Sequence, residues 1–247
     1  MNNWLILGAT SGIATHLSRE LASRGFRICL ADRKATSKKL DLLAQDLNAR
    51  FDTETVIMNF EATEMERHET FIDEVEESFG EIDGVVYAVG VMEPQKDLEQ
   101  DFARAKRQHE INYTAAAGLL GSIAQKMEVR HRGHIVAFGS PAGDRGRRSN
   151  YLYGADKAAL HLFMEGLRHR LAGKRVTVLT VKPGPTDTPM TAGMKGLKSR
   201  ARPEDVARDI ARAIDEKRQV IYTPGKWRYI MCIIRHLPWF IFRRLDL

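Results

Sequence analysis

A tyrosine and a lysine stand four residues apart, at Tyr153 and Lys157, in a segment with helical spacing. Residues separated in this way lie on one face of a helix, so the phenol and the ammonium group are neighbours. A nearby cation favours the phenolate, so we expect Lys157 to lower the tyrosine pKa from its usual value of about 10. Such a tyrosine can protonate a carbonyl oxygen while hydride reaches the carbon, or do the reverse. The spacing selects Tyr153 over Tyr151.

Two polar side chains precede this pair in the chain. Ser140 follows an apolar run at 134–138 and can hydrogen-bond the same substrate oxygen as Tyr153. Asn112 lies in a long helical stretch and can order a water molecule that connects Lys157 to solvent. A tyrosine–lysine spacing alone is also typical of an amphipathic surface helix. The four residues in this order favour a catalytic set.

A glycine-rich turn follows the first apolar run, and a proline-glycine segment follows a later one. Glycines at the first turn let the backbone approach a pyrophosphate, which then meets the N-terminus of a helix. A plain glycine-rich turn is the alternative. The later segment offers backbone and hydroxyl partners for a nicotinamide carboxamide. The predicted cofactor contacts in these two segments are Gly8, Thr10, Ser11, Gly12, Ile13, Pro183, Gly184, Thr186 and Thr188.

The end of the second apolar run bears on the choice between NAD(H) and NADP(H). Asp32 can accept hydrogen bonds from ribose hydroxyls and repel a ribose phosphate, which favours NAD(H). Arg33 and Lys34 can instead hold that phosphate, which favours NADP(H). We expect NAD(P)H as cofactor, with NAD(H) slightly favoured because the acid occupies the strand end itself.

The elements that position these residues alternate regularly between strand and helix. One uninterrupted helix is expected over about 97–127. Alternating βα units imply an α/β fold with a Rossmann-type doubly wound parallel sheet in a single domain, 1–225, followed by a tail, 226–247. Ligands of such sheets bind at the carboxyl ends of the strands. Strands are predicted at 4–7, 26–31, 55–58, 82–89, 134–138, 176–181 and 220–222.

The order of these motifs resembles the classical short-chain dehydrogenase/reductase family over essentially the whole chain. That resemblance implies NAD(P)H binding, a homo-oligomer, and catalysis by Asn112, Ser140, Tyr153 and Lys157, of which the last two also contact the cofactor. Ala14 departs from the family pattern by replacing the third glycine of the first motif.

Two further cofactor segments match the family only in part. Of the family's Asn-Asn-Ala-Gly motif after the fourth strand, Gly90 alone is retained. Asn59 and Phe60 stand where the family often has an acid followed by an apolar residue at the adenine. We therefore predict Gly90, Asn59 and Phe60 as cofactor contacts by position.

Basic residues gather in a loop before Tyr153 and in the tail. Arg145, Arg147 and Arg148 can bind a phosphate through bidentate hydrogen bonds, or form a solvated or structural charge run. The tail mixes aromatic, aliphatic and basic residues and is interrupted by Pro238. It suits an interfacial segment on anionic lipid, or a cover packed over the pocket or at a subunit interface.

The loop and the tail also resemble the decaprenylphosphoryl-2-keto-erythro-pentose reductase branch of that family. This resemblance implies a lipid-linked sugar ketone as substrate, a flavin-dependent oxidase as partner, peripheral membrane contact and a role in cell wall biosynthesis. Two alternatives stay open: a generic ketoacyl, steroid or sugar ketone reductase, and a nicotinamide-binding redox sensor without turnover.

Composition and charge limit the number of domains and the classes of function that the chain can have. A length of 247 residues with 43% hydrophobic residues suits one globular α/β domain. Two distant cysteines form no disulfide framework, and no metal site is predicted. The absence of a signal peptide predicts a cytoplasmic protein, with contact at the inner face of the membrane. The net charge of +6 comes without a nucleic-acid recognition motif, so no nucleic-acid partner is expected.

Overall fold

The computed structural model describes residues 3–33, 36–193 and 199–245. Its strands are β1 (Asn3–Leu7), β2 (Arg27–Asp32), β3 (Thr55–Asn59), β4 (Gly84–Tyr87), β5 (Gly133–Phe138), β6 (Val176–Pro183) and β7 (Val220–Thr223). They form one seven-stranded sheet in the order β3-β2-β1-β4-β5-β6-β7. Every neighbouring pair is parallel. The strand order reverses between β1 and β4, which is the switch point of a doubly wound sheet.

Helices connect the strands and cover both faces of the sheet. They are α1 (Gly12–Ala22), α2 (Ser37–Phe51), α3 (His68–Phe79), α4 (Gln95–Gln100), α5 (Phe102–His109), α6 (Ala115–Arg130), α7 (Tyr151–Arg170), α8 (Pro203–Asp215), α9 (Lys226–His236) and α10 (Trp239–Phe242).

The central strand β1 shows why the sequence forms this three-layered core. Leu5 and Leu7 pack into a cluster with residues of α3 and α6, whereas Trp4 and Ile6 pack into a second cluster with residues of α1 and α8. Successive side chains of a strand point to opposite faces, so a continuous apolar run fills both layers at once. The predicted single-domain Rossmann-type fold is confirmed.

The expected single helix over 97–127 is wrong, because two interruptions divide it. Asp101 adopts an extended conformation, and its carboxylate accepts hydrogen bonds from the backbone N–H groups of Ala103 and Arg104 at 3.0 and 3.2 Å. An aspartate that caps a new helix ends the previous one. Further along, a π-helical turn spans Glu110–Thr114 and carries Asn112. The helical apolar spacing continues through both interruptions, which hid them from the sequence pattern.

The C-terminal segment continues from β7 as two short helices. Pro238 separates α9 from α10, as the sequence predicts. Met231 and Ile234 of α9 are buried against the rest of the chain. Among the described residues, the structure contains no helix that is long and apolar enough to cross a membrane.

Candidate active site

A cavity of about 860 Å³ opens at the carboxyl ends of the strands. Asn59 and Asn112, although predicted as site residues, do not contribute to its wall. Asn59 instead lines a small neighbouring depression at the end of β3. The predicted site residues that do line the cavity are Gly8, Thr10, Ser11, Gly12, Ile13, Asp32, Arg33, Phe60, Gly90, Ser140, Tyr153, Lys157, Pro183, Gly184, Thr186 and Thr188.

The glycine turn after β1 forms one end of this cavity. Gly8 has a φ of +75°, and a Cβ there would lie 2.9 Å from the backbone nitrogen of Val89. A Cβ at Gly12 would lie 2.7 Å from Cγ2 of Thr188. Ser11 caps α1 by accepting a hydrogen bond from the N–H of Ala14. Glycine therefore lets this turn pack closely against the segments that follow β4 and β6. The N-terminus of α1 borders the cavity, and its helix dipole favours an anion there.

Asp32 holds this turn to the end of β2. Its Oδ2 accepts hydrogen bonds from the N–H of Thr10 at 3.0 Å and from the Thr10 hydroxyl at 2.6 Å. Its Oδ1 accepts from the N–H of Arg33 at 2.8 Å. A carboxylate has about four lone-pair sites, two on each oxygen, so Oδ1 can still accept a hydrogen bond from a ligand hydroxyl. Lys34, the other candidate at this end, lies outside the described residues.

Tyr153 lies in the cavity wall beside Ser140. Burial raises the pKa of Tyr153 to about 12, although a hydrogen bond with Ser140 and the charge of Arg147 both act to lower it. The pKa of Tyr153 therefore lies above its usual value, whereas the spacing to Lys157 predicted a value below it, because burial outweighs the charges nearby. The Lys157 ammonium donates to the carbonyl of Phe138 at 2.8 Å and lies 5.7 Å from the Tyr153 ring centroid.

Lys157 is itself perturbed by the same enclosed environment. Burial lowers the pKa of Lys157 to about 8, and the neighbouring carboxylate of Asp156 acts in the opposite direction. Desolvation disfavours a charged amine for the same reason that it disfavours a phenolate. Burial therefore favours the neutral form of both groups.

Asn112 is fully buried behind the cavity wall rather than in it. Its Oδ1 accepts from the N–H of Val91 at 2.9 Å, and its Nδ2 donates to the Val91 carbonyl at 2.9 Å. Nδ2 also donates to Oδ2 of Asp156 at 3.1 Å. Asp156 receives a further hydrogen bond from Gln108 at 3.2 Å. Asn112 thus ties the segment after β4 to the helix that carries Tyr153 and Lys157.

Residues 2–196 match the family described as short chain dehydrogenase. The chain belongs to this family. An uncharacterized oxidoreductase of Mycobacterium tuberculosis is 34% identical over 241 residues, which cover 98% of this chain and 96% of the relative. An uncharacterized oxidoreductase of Streptomyces coelicolor is 34% identical over 244 residues, covering 98% of this chain and 94% of the relative. This short-chain dehydrogenase is an NAD(P)-dependent oxidoreductase.

Solved structures of lower identity share the fold of this short-chain dehydrogenase. A short-chain dehydrogenase from Sphingobium yanoikuyae in complex with NADPH has a TM-score of 0.82 at 21% identity, covering 100% of this chain and 97% of that one. The 3-oxoacyl-[acyl-carrier protein] reductase from Brucella melitensis in complex with NAD has a TM-score of 0.80 at 23% identity, covering 92% and 97%.

The three arginines Arg145, Arg147 and Arg148 of this short-chain dehydrogenase lie in one loop, the arginine loop, but they have two different surroundings. Arg145 donates to the carbonyl of Ile234, and its guanidinium lies 3.8 Å from the ring centroid of Phe242. Arg148 donates to the carbonyls of Arg243 and Leu245 at 3.2 and 2.9 Å. Both arginines therefore hold the C-terminal segment, which is the structural role that the sequence left open. Arg147 alone of the three lines the cavity.

The C-terminal segment also supplies part of the cavity wall. Trp227 of α9 lines the cavity and packs directly on Gly184, where any Cβ would overlap the indole ring. The tail thus packs over the pocket, one of the arrangements left open by the sequence. Sequence reasoning missed Trp227, because no local signal shows that a helix 43 positions further along the chain returns to this loop.

A buried charged cluster lies behind Ser140. The side chain of Asp144 accepts from Lys182 Nζ at 2.6 Å and from the Tyr222 hydroxyl at 2.6 Å. The N–H of Ser140 approaches Nε2 of His161 at 3.3 Å, and Nδ1 of that ring lies 3.5 Å from Asp144. Burial lowers the pKa of His161 to about 3, so the ring is neutral and Nε2 can accept. The cluster anchors the loop that presents Ser140.

Other cavity residues were also missed by the sequence analysis. Val91 and Met92 directly follow Gly90, so extending that motif along the chain would have found them. Arg107 and Asn150 come from α5 and from the residue before α7. They reach the cavity only because α5 and the arginine loop fold over the carboxyl ends of the strands.

Proposed function

We propose that this chain is an NAD(P)H-dependent ketone reductase in which Tyr153 donates the proton. The observation that carries the proposal is the position of Tyr153 in the cavity wall, together with Ser140 and Lys157. A phenol at this position can donate its proton to the carbonyl oxygen as hydride reaches the carbon. NAD(P)H, when bound, supplies the hydride to the carbonyl carbon.

The remaining catalytic residues have distinct parts in this mechanism. Ser140 donates a hydrogen bond to the carbonyl oxygen and orients it toward Tyr153. Lys157, whose pKa of about 8 lies close to neutral pH, returns a proton to the phenolate and binds the cofactor ribose. Asn112 acts as a positioning residue, since its hydrogen bonds go to Val91 and Asp156 rather than into the cavity.

The cavity residues fit a dinucleotide, since Ser11, Gly12 and Ile13 at the N-terminus of α1 line the cavity, where a pyrophosphate would bind. Asp32 would accept hydrogen bonds from the adenosine ribose. Asn59 is left out because its side chain lies beside the cavity, not in it. The remaining proposed cofactor contacts are Gly8, Thr10, Arg33, Phe60, Gly90, Tyr153, Lys157, Pro183, Gly184, Thr186 and Thr188.

The test of the reductase function is a ketone-reduction screen with NADH and with NADPH. It should contain ketoacyl, steroid and sugar ketones together with a polyprenylphosphoryl keto-pentose. Oxidation of the nicotinamide that depends on a ketone supports the proposal. If no ketone is reduced while the cofactor still binds, the redox-sensor alternative replaces it.

The cofactor preference proposed here is NAD(H) over NADP(H), and Asp32→Ala is its test. Removing the carboxylate removes both the ribose acceptor and the charge that repels a ribose phosphate. We expect the ratio of kcat/KM values for NADH and NADPH to fall by roughly 10- to 100-fold, the range for one charge-assisted contact. An unchanged ratio would show that Arg33 and the neighbouring basic residues decide the preference.

The proposed substrate is a lipid-linked sugar ketone of the polyprenylphosphoryl keto-pentose type. Its support is the sequence resemblance of the loop and the tail, together with Arg147 in the cavity wall. In that case a flavin-dependent oxidase would supply the ketone, within cell wall biosynthesis. We also propose that the chain forms a homo-oligomer and is located in the cytoplasm at the inner face of the membrane. In this proposal, residues 1–225 form the enzyme domain and residues 226–247 contact the membrane.

Peripheral membrane contact is proposed through α9 and α10. Their exposed apolar side chains stand among basic residues, a combination typical of interfacial segments. The exposed apolar residues are Tyr229, Ile233, Trp239, Phe240 and Ile241. The neighbouring basic residues are Lys226, Arg228, Arg235, Arg243 and Arg244.

Co-sedimentation with phosphatidylglycerol vesicles measures this contact. We expect the full chain to bind, and the double variant Trp239→Ser, Phe240→Ser to bind at least about tenfold more weakly, since each aromatic buries apolar area in the interface. Phe102→Ser is the matched control, because Phe102 is exposed on α5, outside the tail. Equal binding of all three proteins would exclude the tail as the contact.

A further inference from the structure

Two polar atoms in the turn before α7 are buried without a hydrogen-bond partner. They are Nε of Arg147 and Oδ1 of Asn150, as judged over residues 3–33, 36–193 and 199–245. Both residues line the cavity. A buried donor or acceptor left unpaired is costly, and native proteins satisfy nearly all of them. A donor and an acceptor that both border a cavity therefore indicate a ligand that satisfies each.

The guanidinium of Arg147 has a positive charge that borders the cavity. No carboxylate of the described part of the chain forms an ion pair with it. Asp144, the acid of the same loop, is already engaged by Lys182 and Tyr222. An arginine with this freedom and a planar set of donors suits an anionic oxygen group.

The position of this pair assigns it to the substrate rather than to the cofactor. The charge of Arg147 acts on the Tyr153 hydroxyl, where the carbonyl must bind. Asn150 precedes α7, and its carbonyl accepts from the N–H of Gly154 at 2.8 Å, next to Tyr153. The glycine turn after β1, by contrast, leads into the start of α1, and Asp32 ends β2.

We infer that Arg147 and Asn150 form a substrate subsite for a hydroxylated ketone that carries an anionic group. Arg147 donates to the anionic oxygens, and the Asn150 carboxamide oxygen accepts a hydrogen bond from a substrate hydroxyl. This inference rests on the proposed ketone reductase function, because it places the two groups beside the proton donor. The anion can be a phosphate or a carboxylate, which share this chemistry.

Isothermal titration calorimetry of the NAD⁺-saturated protein tests the subsite with three small probes. Dihydroxyacetone is neutral, whereas dihydroxyacetone phosphate and hydroxypyruvate carry the two kinds of anion. We expect one or both anionic probes to bind roughly 10- to 100-fold more tightly than dihydroxyacetone, as a charge-assisted hydrogen bond allows. The tighter of the two identifies the preferred anion.

Four variants connect that preference to the two residues. Arg147→Gln should abolish the preference, and Arg147→Lys, which keeps the charge but not the planar donors, should retain part of it. Arg148→Gln is the matched control, since Arg148 contacts tail carbonyls, and it should keep the full preference. Asn150→Ala should weaken all three probes alike, because each carries a hydroxyl.

Several outcomes overturn the subsite. They are equal affinity for neutral and anionic probes, no binding of either anionic probe at millimolar concentration, and a preference that survives Arg147→Gln. If Arg147→Gln shifts the pH profile of ketone reduction but leaves the preference for anionic probes unchanged, Arg147 acts on the pKa of Tyr153 and does not bind the substrate anion.

Calorimetry needs no turnover, so it separates the subsite from the proposed function. A chain that binds the anionic probes through Arg147 yet reduces no ketone contradicts the proposed function and leaves the subsite intact.

Discussion

Replacing Tyr153 with phenylalanine is expected to lower kcat/KM for ketone reduction by roughly 10²- to 10⁴-fold, the usual contribution of a general acid. The phenyl ring fills the same buried site beside Ser140, so the fold and the cofactor site remain. The variant lacks only the proton that the phenol keeps at neutral pH. Steady-state nicotinamide oxidation measures the loss, and cofactor titration and thermal unfolding verify that the site is intact.

Tyr151→Phe is the matched control for this prediction. Tyr151 stands on the same helix but is exposed, and its hydroxyl donates to Glu99 at 3.0 Å rather than facing the cavity. Its loss should leave turnover close to that of the wild type. Near-native turnover of the Tyr153 variant would mean that another group donates the proton, and the assignment of the catalytic set would then be wrong.

Replacing Asp144 with alanine is expected to lower the free energy of unfolding by about 3–5 kcal/mol, the cost of leaving a buried charge without its partner. The side chains of Asp144 and Lys182 are 3% and 10% exposed, so water cannot replace the lost contact. The hydroxyl of Tyr222 loses its acceptor at the same time. Urea denaturation at pH 7 measures the change.

The double variant Asp144→Ala, Lys182→Met separates the charge effect from simple loss of packing. Removing the stranded ammonium should recover part of the lost stability, as replacement of buried ion pairs by apolar residues often does. Turnover should stay low in both variants, because the loop that presents Ser140 is no longer anchored. A loss below about 1 kcal/mol in Asp144→Ala would instead be typical of a surface ion pair.

Local patterns predicted the sheet well but misjudged one helical region. A buried strand such as β1 is a continuous apolar run, and that signal needs no tertiary information. The break at Asp101 depends on one side chain capping the next helix, and the helical apolar spacing continues across it. Apolar periodicity is read over a window of many residues, so a single capping residue such as Asp101 does not change the helical prediction.

The chemistry that the chain can perform was determined by the sequence itself. Tyr153 and Lys157 lie on the same face of α7 because they are four residues apart in a helix. Parallel strands bring Ser140 and the glycine turn to the same edge of the sheet. Only the tertiary structure decided the pKa values of Tyr153 and Lys157. Burial, which no spacing encodes, raises the pKa of Tyr153 and lowers that of Lys157.

The arginine loop shows the same division more sharply. The sequence placed three arginines next to one another and left open whether they bind phosphate or support the fold. The returning C-terminal segment engages Arg145 and Arg148 and leaves Arg147 in the cavity wall. Arg147 differs from Arg145 and Arg148 because only the latter two donate hydrogen bonds to carbonyls about 90 positions further along the chain. Contacts of that separation exist only after the chain has folded.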